Sequence, residues 1–236
     1  MTLLHIYPIN AAYILGGTVL VALVIWGVSS YRKVPAPITK YFILSGIGGA
    51  VFFYANSIPY LFTENLNALR LATNIGDIGY YGLVLVLARI IWYIGFYKRF
   101  NFLWLFLPTL ALSLVVYCLY VINIWNTTVV LENGALTYSW PTLALRLDAL
   151  LSIVFVVASF YIYSLSRASR SLMGKLRSFG LATIVLSGGV SGLYNTLVLR
   201  GQNNSPTVYG VYIVVFSFFF GTVLLGRRHR TPTNPT

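Results

Sequence analysis

"FLWLFLPTLALSLVVYCLYVINI", residues 102–124, contains no Lys, Arg, His, Asp or Glu in 23 consecutive positions. A helix needs about 20 apolar residues to cross a bilayer, so this stretch predicts a transmembrane helix. Six further apolar runs predict the same and lie near 9–29, 40–62, 74–96, 141–164, 178–199 and 207–226. The sequence therefore predicts an all-α membrane protein, a single seven-transmembrane-helix bundle over residues 1–226.

The composition of the whole chain favours lipid as its solvent. Hydrophobic residues make up 58% of the chain and charged residues 8%, against roughly 45–50% and 25% in soluble domains. The net charge of +12 would suggest nucleic acid as a partner of a soluble protein, but here the basic residues fall in short clusters between apolar runs. We therefore expect no nucleic acid, and we expect the clusters to lie against anionic lipid headgroups.

The distribution of Lys and Arg between the loops predicts the orientation. One set of loops carries twelve basic residues, and the opposite set carries only Arg70 and Arg200. The twelve are Arg32, Lys33, Lys40, Lys98, Arg99, Arg167, Arg170, Lys175, Arg177, Arg227, Arg228 and Arg230. By the positive-inside rule the N-terminus is outside and the C-terminus is cytoplasmic, in a plasma membrane. Residues 227–236 would form a basic, Pro-containing cytoplasmic tail.

Histidine and cysteine are too scarce for the common metal and haem sites. The two histidines, His5 and His229, lie close to the two ends of the chain, and Cys118 is the single cysteine. A haem between transmembrane histidines is thereby excluded, and a zinc site has no ligand set. We expect no cofactor.

Small residues recur at helical spacing in several of the predicted spans. Gly188 and Gly192 form a GxxxG motif in the sixth span. Such residues let helix backbones approach closely in lipid, either inside one bundle or between two copies of the chain. Packing within the bundle and a homo-oligomer through Gly188 and Gly192 both remain open.

Four ionisable residues fall within the predicted spans: Asp77, Arg89, Arg146 and Asp148. Charges at bilayer depth are costly and usually face the bundle interior, where they find partners. The predicted span limits put Asp77 roughly 5 Å below the outer boundary, and Arg146 and Asp148 roughly 7–11 Å below it. Arg89 lies near the cytoplasmic end, where it can snorkel, and we interpret it as structural.

Arg146 and Asp148 are two positions apart, or about 200° around a helix, so they cannot face each other. By level and sign, Asp77 is the expected partner of Arg146, whereas Asp148 could accept a hydrogen bond from Tyr80, Tyr81, Tyr194 or Asn195, or from Arg70 reaching down. The polar residues at a similar level are Asn56, Tyr80, Tyr194 and Asn195. This set is either a buried network that fixes helix register or an outward-facing polar pocket for a small ligand or ion.

No constellation of residues supports an enzyme. The "GVSG" around Ser191 matches the GxSG of rhomboid proteases, but that chemistry requires a histidine base within reach. The contexts "NIGD" and "LRLD" lack the motifs of aspartyl intramembrane proteases, and Arg146 would oppose a shared proton there. We expect a non-enzymatic protein.

Two stretches resemble the seven-transmembrane sensor regions of bacterial histidine kinases in layout. They are "NALRLATNIGDIGYYGLVLVLARIIWY", residues 67–93, and the basic "SRASRSLMGKLRSFG", residues 166–180. The resemblance spans helices two to six and implies a sensor. Because no kinase follows in the sequence, a sensor of this kind would pass its signal to a partner protein.

Three functions are consistent with these features. The leading hypothesis is a seven-helix module that senses a small ligand or signal through an outer-leaflet polar pocket. A small transporter or channel using the same charges is the alternative, and a structural subunit of a larger membrane complex is the second alternative. The polar residues are concentrated in the outer third of the predicted bundle, which favours a pocket over a continuous path.

Overall fold

The computed structural model describes residues 7–33, 35–132, 134–168 and 172–198. In these ranges the chain is mostly helical, and six helices are long and apolar enough to cross a membrane. The elements are α1 (Pro8–Lys33), α2 (Pro37–Ala55), a 3-10 turn (Pro59–Leu61), α3 (Leu66–Ile91), a π turn (Trp92–Phe96), α4 (Leu103–Asn126), β1 (Val130–Glu132), β2 (Ala135–Thr137), α5 (Thr142–Ala168) and α6 (Leu172–Leu197).

The first six predicted spans correspond to these six helices. The seventh predicted span, 207–226, and the tail, 227–236, lie outside the described residues. The prediction of a multi-pass, mainly helical membrane protein is confirmed, whereas the number seven and the orientation stay predictions. Among the described helices α3 lies at the centre of the bundle, with α2, α4 and α5 packed against it.

Helix α3 begins eight residues earlier than predicted, at Leu66 rather than residue 74. The side chain of Asn65 caps it by accepting hydrogen bonds from the backbone amides of Asn67 (3.0 Å) and Ala68 (3.3 Å), which satisfies donors that a helix start leaves free. Asp77 is thus 11 residues into the helix, or about 16 Å along its axis. The predicted span limit differs from the helix start because it followed hydrophobicity rather than the cap, and the depth of Asp77 in the membrane stays a prediction.

The segment between α4 and α5 forms an antiparallel β hairpin, which the all-α prediction did not include. Glu132 pairs with Ala135 across a two-residue turn, and Gly134 has φ +78°, a left-handed conformation that glycine adopts without steric cost. Asn133-Gly134 is a strong sequence signal for such turns, so the hairpin was detectable. We call this end of the bundle the hairpin end and the opposite one the Arg89 end.

Glycines bring α2 into backbone contact with α3. A Cβ placed on Gly79 would lie 2.7 Å from the carbonyl oxygen of Gly48 and 2.8 Å from the amide nitrogen of Phe52, closer than real atoms approach. Only glycine therefore fits at this crossing, as expected for helices that pack in lipid. The crossing fixes α3 two residues beyond Asp77 and so sets the position of that carboxylate.

Gly188 and Gly192 pack within the chain. A Cβ on Gly192 would collide with the Oγ of Ser152, and one on Gly188 would lie 3.4 Å from the Phe155 ring. Both glycines therefore face α5 in the same chain, the first of the two alternatives raised by the GxxxG motif. A homo-oligomer through these glycines stays untested as a prediction, and their role in the α5–α6 contact is sufficient to explain the motif.

Candidate functional site

A cavity of about 470 Å³ lies between the helices, and we call it the central cavity. All six described helices and the hairpin contribute residues to its lining. Ala135 and Tyr138 line it at the hairpin end, and Ser30 and Gly174 line it at the Arg89 end. The cavity thus follows the long axis of the bundle, and its volume falls in the range of small-molecule sites, about 300–1,000 Å³.

Asp77 on α3 and Asp148 on α5 both line the central cavity and interact electrostatically with each other. The Tyr80 hydroxyl lies within hydrogen-bonding reach of the Asp148 carboxylate. Asp77 and Tyr80 are three positions apart on α3, so they share one helix face. Oδ1 of Asp148 is shielded from solvent and has no hydrogen-bond partner among the described residues. A buried carboxylate oxygen without a partner is costly, so this oxygen is open to a further hydrogen-bond donor.

The described lining of the central cavity includes no Lys or Arg. Arg146 is exposed on the outside of the bundle. Arg70, at the hairpin end, donates to the carbonyl of Thr127 and the side chain of Asn67, both at 3.3 Å, and its guanidinium lies 5.6 Å from the Trp125 ring centre. Two carboxylates therefore face the cavity without a described basic side chain beside them, in a protein of net charge +12.

Aromatic rings form much of the wall around the carboxylates. Tyr80 stacks on Phe155 with ring centres 5.6 Å apart and planes 15° from parallel. Nearer the hairpin, Trp140 stacks on Tyr138 at 5.3 Å and meets Tyr120 edge to face at 4.8 Å. All five of these residues line the cavity. Ring pairs of this kind are rigid and present large apolar surfaces, so the walls are preorganised.

Five of the seven predicted site residues line the central cavity: Asn56, Asp77, Tyr80, Asp148 and Asn195. Asn56 ends α2, where its Nδ2 donates to the Phe52 carbonyl at 2.9 Å. Arg146 and Tyr194 are not among the lining residues; both are exposed, Tyr194 to 39%. The structure thus gathers the predicted carboxylates and amides and excludes the predicted cation.

The predicted Asp77–Arg146 ion pair is wrong. Asp77 faces Asp148, a residue of the same sign, because the rotation of α5 about its axis turns Asp148 inward and Arg146 outward. The face of Arg146 carries Leu150, Ile153 and Val157, which are all exposed. The prediction that residues 146 and 148 lie on opposed faces is confirmed. Arg146 is four residues into α5, about 6 Å from its start, so its long side chain can reach the interface.

Sequence reasoning missed the aromatic wall. Tyr120, Tyr138, Trp140 and Phe155 are not among the predicted site residues. One signal was present for Phe155: Asp148, Ser152, Phe155 and Ser159 follow helical spacing, and small residues mark interior faces of membrane helices. The same signal was present for Tyr120 on α4, where Thr109, Ser113, Val116 and Tyr120 follow helical spacing and are all buried.

Arg89 lies in a different setting, at the end of α3 away from the hairpin. Its guanidinium carbon is 4.1 Å from the Phe102 ring centre and 4.4 Å from that of Trp92, and its Nε donates to the Tyr41 hydroxyl at 3.1 Å. The interpretation of Arg89 as structural agrees with these contacts. Aromatic faces stabilise a cation through their quadrupole, so Arg89 is accommodated by the chain itself.

Comparisons of the chain with protein-family models, with curated proteins and with solved structures found no match. The class that the fold defines is a multi-pass membrane protein, and the geometry adds a cavity that carries two carboxylates between aromatic walls.

Proposed function

We propose that this protein is a non-enzymatic seven-helix module of the plasma membrane that senses a small ligand through the central cavity and passes the signal to a partner protein. The predicted seventh span, 207–226, completes the helix count in this proposal. The hairpin end faces outward and the Arg89 end faces the cytoplasm.

The observation that carries the proposal is the charge imbalance of the central cavity. Asp77 and Asp148 line it, and no basic side chain does in the described part of the chain. Ionisable residues inside membrane proteins are expensive to keep and usually belong to a functional site. A fixed network would have satisfied Oδ1 of Asp148 with a donor from a neighbouring helix, whereas a binding pocket leaves it for the ligand.

Charge distribution supports the orientation. The described basic residues Arg32, Lys98 and Arg167 lie at or beyond the ends of α1, α3 and α5, which reach the Arg89 end. The hairpin end has Arg70, Arg146 and the carboxylates Glu64 and Glu132. The positive-inside rule then directs the Arg89 end to the cytoplasm and the hairpin outward.

A signal would be transmitted along α3. Asp77 meets the cavity near the middle of this helix, and its last turns carry Arg89 and the π turn Trp92–Phe96, where Gly95 packs directly on Tyr161. Single π turns within helices are frequent at functional positions. A ligand that draws Asp77 and Asp148 together would shift α3 against α5, and the basic surface at the Arg89 end would present that shift to a partner.

The proposal is tested by ligand-induced stabilisation of the full chain in nanodiscs. A panel of cationic, neutral and anionic small molecules is screened by thermal unfolding, and at least one member is expected to raise the midpoint because it binds only the folded state. The stabilisation should disappear in Asp148→Asn and persist in Arg146→Gln, whose side chain lies outside the cavity. A panel without any stabilising member, or equal stabilisation of both variants, would refute the pocket.

Transport is the second candidate, and the length of the cavity favours it. The lining extends from Tyr138 at the hairpin to Ser30 and Gly174 at the Arg89 end, as a conduction path would require. In proteoliposomes, a transporter predicts a substrate flux that Asp148→Asn abolishes. A sensor predicts stabilisation by a ligand without any flux of that ligand.

A further inference from the structure

The chemistry of the central cavity restricts what the proposed sensor binds. Its two carboxylates contribute a charge of −2 when ionised, and the described lining offers hydroxyls and amides but no cation. Burying like charges together is unfavourable, since each loses its hydration and each repels the other. A positively charged ligand offsets part of both costs, whereas a neutral or anionic ligand supplies no compensating charge.

The geometry around the carboxylates is that of a site for a cation with an apolar body. Tyr81 and Tyr120 interact electrostatically with Asp148, and Tyr60 and Tyr138 interact with Asp77. These four rings line the same cavity as both charges. Aromatic faces attract cations and also pack against apolar groups, so the same walls serve both parts of such a ligand.

A bare metal ion fits this site poorly. Ca²⁺ requires six to eight oxygen ligands at 2.3–2.6 Å, and Mg²⁺ requires six at shorter distances. No group of three or more His, Cys, Asp or Glu side chains that could hold a metal occurs among the described residues. A cavity of about 470 Å³ is also far larger than one ion, so most of it would remain unfilled.

The chain itself shows how it holds a cation in this environment. Arg89 lies between the Trp92 and Phe102 rings, with the Tyr41 hydroxyl as a hydrogen-bond partner. The central cavity repeats these components, rings and a tyrosine hydroxyl, and adds two carboxylates. Arg89 provides a positive charge between its surrounding rings. In the central cavity a ligand would have to provide that charge.

We propose that the central cavity binds a small organic ammonium ion, with its charged nitrogen between Asp77 and Asp148 and its apolar body against the Tyr80–Phe155 stack. This ligand class rests on the proposed sensing function. Oδ1 of Asp148, which lacks a partner in the described chain, accepts a hydrogen bond from the ammonium, and the charge of Asp77 adds to the electrostatic attraction. An N–H donor on the ligand makes this a charge-assisted bond, which is shorter and stronger than a neutral one.

Three probes of nearly equal shape and different charge test the proposal. They are phenethylammonium, 2-phenylethanol and phenylacetate, and their dissociation constants are measured by calorimetry on the full chain in phosphatidylcholine nanodiscs. The lipid is zwitterionic, so an ammonium probe gains nothing from anionic headgroups. We expect phenethylammonium to bind at least tenfold more tightly than the other two.

Variants locate the binding. Asp77→Asn and Asp148→Asn should each weaken phenethylammonium binding by at least tenfold, because each removes one charge while keeping the shape of the side chain. Arg146→Gln should change it by less than twofold. Size-exclusion profiles and thermal unfolding of the ligand-free variants confirm that each is folded.

The outcomes separate the two proposals. If 2-phenylethanol or phenylacetate binds as tightly as the ammonium, the ligand class is wrong and the sensing pocket stands. If NaCl or KCl stabilises the protein as strongly as the ammonium probe, the site is one for an inorganic cation and the ligand class is again wrong. If none of the probes binds in the millimolar range, and the panel above also yields no stabilising compound, both proposals are overturned.

Discussion

Arg89, Asp77 and Asp148 are half-buried charges in the same bundle, but the chain surrounds Arg89 differently from the two carboxylates. The guanidinium of Arg89 has two ring faces within 4.4 Å and a tyrosine hydroxyl at 3.1 Å. The two carboxylates face each other across a cavity, and one oxygen of Asp148 has no partner in the described chain. Among the described residues the Arg89 site is therefore electrostatically complete, whereas the Asp77–Asp148 pair, nearer the middle of the bundle, is not.

The comparison separates a structural charge from a functional one by a physical criterion. A charge kept for stability has its compensation built in, because an uncompensated one in a low-dielectric environment costs several kcal/mol. A charge kept for binding is left partly uncompensated, and the protein gives up some stability for it. Substitutions at Arg89 and at the Asp77–Asp148 pair should therefore change the free energy of unfolding in opposite directions.

The largest effect on stability is expected at Arg89. Arg89→Ala should lower the free energy of unfolding by about 3 kcal/mol, because it removes two desolvated cation–π contacts and a hydrogen bond to a charged donor. Denaturation by SDS in bicelles measures the change. The control is Arg167→Ala, an exposed arginine with one ring, Tyr163, at 5.4 Å, which should cost about 0.5 kcal/mol or less. Equal effects at both positions would mean that Arg89 is not held as described.

A smaller effect of opposite sign is expected at the Asp77–Asp148 pair. Asp148→Asn and Asp77→Asn should each raise the free energy of unfolding without ligand by about 1–2 kcal/mol, because the amide relieves charge repulsion and desolvation. Glu64→Gln, which neutralises an exposed carboxylate, is the matched control and should change stability by less than about 0.5 kcal/mol. A loss of stability in either Asp variant would indicate a built-in counter-charge and would return the pair to a structural role.

The smallest effect concerns Arg146. An Asp77–Arg146 ion pair would show as a coupling energy when the single and double variants Asp77→Asn and Arg146→Gln are compared. Because Arg146 is exposed on the other face of α5, we expect this coupling to be within about 0.3 kcal/mol of zero, as for independent sites. A coupling above about 1 kcal/mol would show that Arg146 reaches the cavity after all.

Much of the candidate site could be predicted from residue type alone. A carboxylate in an apolar span is costly wherever the helix sits, so Asp77 and Asp148 were identifiable before any fold was known. The opposed faces of Arg146 and Asp148 followed from helical geometry. The prediction that Asp77 pairs with Arg146 was wrong because the partner was chosen by opposite charge. Contact depends first on which face of each helix is turned inward.

The faces themselves were partly encoded. On α5, the residues in register with Asp148 include Ala144, Ser152 and Ser159, and these are buried, whereas Leu150 and Ile153 follow Arg146 and are exposed. In lipid, large apolar side chains satisfy the outside and small ones permit close packing inside. The contrast between small residues beside Asp148 and large apolar residues beside Arg146 would have predicted that Asp148 faces inward.

The sequence by itself determined that this is a membrane protein, where six of its helices lie and which positions in them carry a charge. Each of these follows from hydrophobicity summed along a local segment. Only the tertiary structure decided which charges meet, that a hairpin covers one end, and that aromatic rings from α3, α4 and α5 converge on two carboxylates. These depend on the rotation and close approach of helices, fixed by contacts such as Gly48 on Gly79. Such contacts join residues far apart in the chain, so no local pattern specifies them.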